Sequence, residues 1–146
     1  MRVTDIMTAD PACCTAETTL PEVAQMMKDN DCGEIPVVED LESCKLIGVV
    51  TDRDITVRAV AEGFDVAATS VGDVMSRNVI SVPEDTGVSE CREQMEDHQI
   101  RRMPVVDAQG RVCGIVAQAD IARNASTRHT AELVKDVSRP GGQPQA

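Results

Sequence analysis

The chain repeats itself, and that repeat restricts its fold more than any other feature. Val3-Thr4-Asp5-Ile6-Met7-Thr8 returns 68 residues later as Val71-Gly72-Asp73-Val74-Met75-Ser76. Ile35-Pro36-Val37-Val38 returns at the same offset as Met103-Pro104-Val105-Val106. Gly48-Val49-Val50-Thr51-Asp52-Arg53-Asp54-Ile55 returns 66 residues on as Gly114-Ile115-Val116-Ala117-Gln118-Ala119-Asp120-Ile121. Three blocks in one order at nearly one spacing define two copies of a single supersecondary unit. The slip of two residues falls between Val106 and Gly114. There Ala108-Gln109-Gly110 predicts a tight turn, where the first copy has the longer loop Asp40–Cys44.

Each copy predicts β-α-β-β-α. A brief strand is expected around Cys13–Thr15 and around Ile80–Val82. Thr19 with Glu22 forms a capping box for the first helix, and Pro21 suits its first turn. Leu20, Val23 and Met27 make an apolar stripe at helical spacing, repeated by Val88, Cys91 and Met95. The apolar runs Ile35–Val38, Leu46–Val50, Met103–Val106 and Val112–Val116 predict strands covered on both faces. A second helix is expected from Thr51 to about Glu62, and from Ala117 to about Ala125. One such unit is too small to bury its own sheet. The expected architecture is therefore an α/β body of two β-α-β-β-α repeats related by a pseudo-twofold. Repeat one with its linker occupies residues 1–68 and repeat two residues 69–126. Residues 127–146 are expected to hold a helix over Arg128–Val137 and a tail disordered by its Pro/Gly composition.

Charge narrows the partners. The net is −11, with −9 on residues 1–68 and −2 on residues 69–146. An acidic chain with 1% aromatic residues lacks the basic footprint and the stacking platforms of a nucleic-acid binder. It equally lacks attraction for an anionic membrane, and no stretch approaches the length of a membrane span. The N-terminal residues lack the apolar core of a signal peptide, so a cytoplasmic protein is expected. Six cysteines stand at 13, 14, 32, 44, 91 and 113 without a CxxC pair. They are expected to be reduced and mostly core-filling, with Cys91 standing where Val23 stands in the first copy.

The D-h-M-T/S opening, the h-P-V-V strand and G-h-h-T-x-x-D, each present twice, resemble the cystathionine-β-synthase (CBS) domain. The chain resembles a tandem pair of them, a Bateman module, over about residues 1–126. The resemblance implies a regulatory binding module and not an enzyme. Its expected ligand contains adenosine (AMP, ADP, ATP, NAD or S-adenosylmethionine) and is held in clefts between the repeats. The expected assembly is a homodimer formed through helices, controlling an unidentified partner protein.

By the same resemblance, Thr51 and Asp54 hydrogen-bond ribose hydroxyls, with Ser76, Val79 and Ser81 of the other repeat opposite them. Thr8, Pro11 and Cys13 would face Asp120, and Val49 and Ile115 would wall the base. Arg101 and Arg102 stand where the family often places a phosphate-binding cation, and an arginine fork suits that anion. Thr51 and Asp54 also suit a reciprocal helix cap, which is compatible with a ligand role. Arg53 either supplies charge or lies on a solvated helix face. The two half-sites are unequal. Ala117 replaces the hydroxyl residue in copy two, and Gly33-Glu34 replaces the arginine pair in copy one. These departures motivate an alternative, a ligand-free dimerisation and interaction module. A thiol enzyme lacks any Cys/His pair in motif context, and no P-loop, metal spacing or nucleophile elbow is present.

Overall fold

The structure is a computed structural model that describes residues 1–124. The helix expected over 128–137 and the tail beyond it lie outside the described residues. The opening motif explains itself locally. Val3–Asp5 and Val71–Asp73 each form one 3-10 turn. Asp5 accepts from the Arg2 N–H at 2.8 Å and Asp73 from the Ser70 N–H at 3.1 Å. The motif acid thus satisfies a turn N–H that has no partner within the turn itself.

Six strands follow: β1 (Thr8–Ala9), β2 (Glu34–Val38), β3 (Leu46–Thr51), β4 (Val82–Pro83), β5 (Arg102–Val106) and β6 (Val112–Ala117). Helices α1 (Leu20–Asp29) and α3 (Val88–His98) bury the expected stripes, Leu20, Val23 and Met27 on α1, Cys91 and Met95 on α3. Thr19 caps α1 by accepting from the Glu22 N–H at 3.3 Å. Glu22 makes no return bond among the described residues, so the expected capping box is only half formed. Helix α2 (Asp52–Ile55) passes directly into a π-helical stretch, Thr56–Val60, in place of the longer regular helix expected there. Its counterpart in the second repeat is the helical segment 118–124. The brief strand expected at Cys13–Thr15 reduces to one parallel bridge, Cys14 to Val37.

The sheets show where each opening segment goes. One sheet has the order β1-β6-β5-β4, so Thr8 of the first repeat pairs with Ile115 of the second. In the other, β2 pairs with β3, and Ser76 of the second repeat bridges Val49 of the first. Thr8 and Ser76 are equivalent positions, as are Ile115 and Val49. Each repeat therefore completes the sheet of the other. The cores follow the same exchange. Val3 is fully buried with Val82, Cys91, Met95, Met103, Val105 and Val116. Val71, Val74 and Met75 are buried with Leu20, Val23, Ile35, Val37 and Val50. The hairpin loops meet at the pseudo-twofold axis: Lys45 pairs with Arg111, the Leu46 N–H donates to the Gly110 carbonyl at 3.1 Å, and the Val112 N–H donates to that of Cys44 at 2.9 Å.

Close approach of the exchanged segments accounts for the glycine of G-h-h-T-x-x-D. A Cβ on Gly48 would overlap the Met75 Cε and the Ser76 carbonyl oxygen. A Cβ on Gly114 would overlap the Met7 Sδ and crowd its Cγ at 2.8 Å. Only the first clash involves backbone, which cannot rotate away, and overpacking of a core costs about 1–3 kcal/mol. Urea denaturation should therefore find Gly48→Ala destabilised by about that amount and Gly114→Ala by clearly less. Equal losses at both positions would contradict the packing described.

Candidate functional site

The exchange leaves two clefts at the seam between the repeats. The first has a volume of about 240 Å³. The end of β3 and the start of α2 place Thr51 and Asp54 on one wall. The Thr51 hydroxyl accepts from the Asp54 N–H and Asp54 Oδ2 accepts from the Thr51 N–H, both at 3.0 Å. The reciprocal cap expected from the sequence is thus present. Val49 lines the same wall, while Ser76, Val79 and Ile80 close the cleft from the other repeat.

The second cleft has a volume of about 310 Å³ and is lined by Thr8, Pro11, Ile115, Ala117 and Asp120, among others. Asp120 Oδ2 accepts from the Ala117 N–H at 2.9 Å. Ala117 has no hydroxyl to reciprocate, so this cap is one-sided. The Asp120 Oδ1 pairs with Arg123.

Of the thirteen residues singled out for ligand contact, ten line these two clefts: Thr51, Asp54, Val49, Ser76 and Val79 in the first, Thr8, Pro11, Ile115 and Asp120 in the second, and Arg102 in both. Ser81, Cys13 and Arg101 do not line them. Cys13 turns its thiol to the Pro11 carbonyl at 3.4 Å. Ser81 directly precedes buried Val82, where the chain has already turned into the sheet. Arg101 is exposed on a separate depression beside Arg92 and Gln99. Arg53 is also exposed, in neither cleft.

Sequence reasoning missed Arg58. Its guanidinium donates to the carbonyls of Val74 and Met75 at 3.3 and 3.2 Å and stands 3.8 Å from Asp54 Oδ1. It ties the exchanged segment of the second repeat to the acid of the first cleft. No spacing rule announces such a contact, because an arginine on a helix surface is ordinarily solvated.

In the sequence Glu34 stands out only as a departure from the arginine pair. It lies in register with Thr51 on the neighbouring strand, as Arg102 does with Ala117. Both side chains line both clefts. One oxygen of Glu34, Oε2, is buried without a hydrogen-bond partner among the described residues. Burial pushes its carboxyl up to about 7, opposed by Arg102 and reinforced by Asp54. Burial likewise pushes Cys13 up to about 11 and Cys14 up to about 12, with each charge also disfavoured by a neighbouring cysteine. Such thiols hold almost no thiolate at neutral pH and are poor nucleophiles. Among the described residues no group of three His, Cys, Asp or Glu side chains is placed to hold a metal ion.

The fold is that of a CBS domain pair. The family model "CBS domain" matches residues 3–60 and 71–127, and the chain belongs to that family. It is 40% identical over 129 residues to the CBS domain-containing protein YhcV of Bacillus subtilis, covering 88% of this chain and 89% of that one. Hypoxic response protein 1 of Mycobacterium tuberculosis is 35% identical over 136 residues, covering 93% of each chain. A crystal structure of Hypoxic Response Protein I, described with two coordinated zinc ions, superposes with a TM-score of 0.76 at 36% identity, covering 84% of this chain and 98% of that one. The CBS domain pair of protein MJ0100, in complex with 5′-methylthioadenosine and S-adenosyl-L-methionine, superposes with a TM-score of 0.77 at 30% identity, covering 88% and 98%.

The raised Glu34 carboxyl has a consequence for stability. The folded state holds this proton up to about pH 7, whereas the unfolded chain releases it near its ordinary value of 4.5. The stabilising contribution is therefore complete below about pH 4.5 and is lost as pH rises through about 7. Glu34→Gln should match the wild type near pH 4 and exceed its stability near pH 8 by about 1–3 kcal/mol, read from urea denaturation at both pH values. A difference independent of pH would contradict this assignment.

Proposed function

We propose that the chain is a regulatory module that binds an adenosine-containing ligand between its repeats, of the AMP, ADP, ATP, NAD or S-adenosylmethionine type. The observation that carries this is the first cleft. Thr51 and Asp54, fixed by their mutual cap, face Ser76 and Val79 of the other repeat across a cleft of about 240 Å³. A carboxylate there accepts from vicinal ribose hydroxyls, and Val49 and Val79 offer apolar surface to a base. The adenosyl ligands of the MJ0100 domain pair support the reading.

Ligand binding acts on a partner only through its different affinity for two arrangements of the protein. Here the ligand touches both repeats, so a change in their packing is the natural output. The exposed apolar side chains Val57 and Val60, on the π-helical stretch, and Phe64 just beyond it support a homodimer through this face. We assign the chain no catalytic role and place its action in the cytoplasm. Among the described residues no helix is long and apolar enough to cross a membrane.

Nucleotide-stripped protein should be screened by thermal shift with the ligands named above. Saturation at about 100 times Kd stabilises by about 2.7 kcal/mol, a shift of a few degrees. The shift should appear with adenosyl ligands, fail with GTP and disappear in a folded Asp54→Ala variant. Ala117 leaves the second cleft one hydroxyl poorer, so Asp120→Ala should reduce the response less. Folded, stripped protein that responds to none of these ligands would instead favour a ligand-free interaction module.

A further inference from the structure

The two clefts share a wall, and its composition speaks to the chemistry of the ligand. Glu34 and Arg102 are equivalent positions of the two repeats, and each lines both clefts. The pseudo-twofold thus sets one acid and one base side by side where two like residues would otherwise stand. They make no ion pair within 4 Å, and the Arg102 side chain has no hydrogen-bonded partner among the described residues. Glu34 keeps a buried oxygen without a donor.

The remaining charges on the clefts are acidic. Asp54 joins the pair in the first cleft, and Asp31 and Asp120 join it in the second. Arg58 and Arg123 reach Asp54 and Asp120 but do not line these clefts. One unpaired guanidinium therefore serves two clefts that each carry more carboxylates than cations. Above about pH 7, a phosphate drawn to Arg102 must sit beside ionised Glu34, and like charges at such range cost binding energy. A ligand carrying an ammonium beside a carboxylate meets no such conflict. Its carboxylate takes the Arg102 fork and its ammonium supplies donors to the Glu34 side.

We propose that Glu34 is the specificity-determining residue of both clefts, selecting adenosine ligands with a cationic, amino-acid-bearing tail over those ending in a phosphate. This rests on the adenosine-binding reading and narrows it. Protonation of Glu34, favoured by its burial and by Asp54 and opposed by Arg102, relaxes the selection as pH falls.

Isothermal titration at pH 8, with Glu34 ionised, tests the proposal on wild type and Glu34→Gln. The three ligands are S-adenosylmethionine, AMP and the uncharged 5′-methylthioadenosine. The wild type should bind S-adenosylmethionine about tenfold or more tightly than AMP, the scale of one such charge contact. Glu34→Gln should narrow that ratio about tenfold, mainly by tightening AMP, and leave 5′-methylthioadenosine within about twofold. Two results would overturn the proposal alone: AMP as tight as S-adenosylmethionine in the wild type, or an unchanged ratio in the variant, with 5′-methylthioadenosine binding in either case. Absence of binding by all three ligands to both folded proteins would overturn the adenosine-binding reading along with it.

Discussion

Every part of this structure depends on the reciprocal exchange of the two opening segments. A single β-α-β-β-α unit leaves one sheet edge and part of its core uncovered, a poor prospect for so few residues. Here Met75 crosses Gly48 and Met7 crosses Gly114, and each following residue pairs with the strand of the other repeat. The exchange supplies the missing apolar volume and closes the edges that would otherwise invite aggregation. It also makes the clefts. Their far walls, Ser76 to Ile80 and Thr8 to Ala12, are the continuations of those same segments.

Function inherits this economy. The motif residues that hold the fold are those that face the clefts. Thr51 and Asp54 complete a helix cap and present their remaining polar capacity to the gap. Arg58 joins Asp54 to the exchanged backbone at Val74 and Met75, so the acid of the first cleft is tied directly to the contact between the repeats. Symmetry of the backbone coexists with asymmetry of the chemistry. Thr51 against Ala117, and Glu34 against Arg102, differ at positions the fold treats as equivalent. That contrast makes the two related clefts chemically unequal.

Much of this is legible in the sequence because it is local or periodic. The four long strands, the buried stripes of α1 and α3, the packing role of Cys91 and the Thr51–Asp54 cap all follow from spacing and residue type. Other features are not, for physical reasons. The π-helical stretch Thr56–Val60 depends on a hydrogen-bond shift of one residue that leaves no compositional mark. The Arg58 clamp is a contact sixteen residues away in sequence. Arg101 and Arg102 look interchangeable in the sequence, but neighbours in an extended segment face opposite ways, so only Arg102 reaches the clefts. Cys13 and Ser81 precede the residues at which the chain turns into the sheet, a boundary that sequence alone places only to within a few residues. The equivalence of Glu34 and Arg102 is implicit in the alignment of the copies, but its meaning requires the axis that brings both to one wall.

The exchange itself can be read directly. Val3 and Val71 are equivalent by sequence, yet each is fully buried in the core of the other repeat. Truncating a buried valine leaves a cavity and loosens the elements around it. Hydrogen exchange by mass spectrometry on Val3→Ala and Val71→Ala reports which strands lose protection. The account predicts that Val3→Ala loosens β5 and β6 while Val71→Ala loosens β2 and β3. Loss of protection within each valine's own repeat would contradict the exchange, and with it the origin of both clefts.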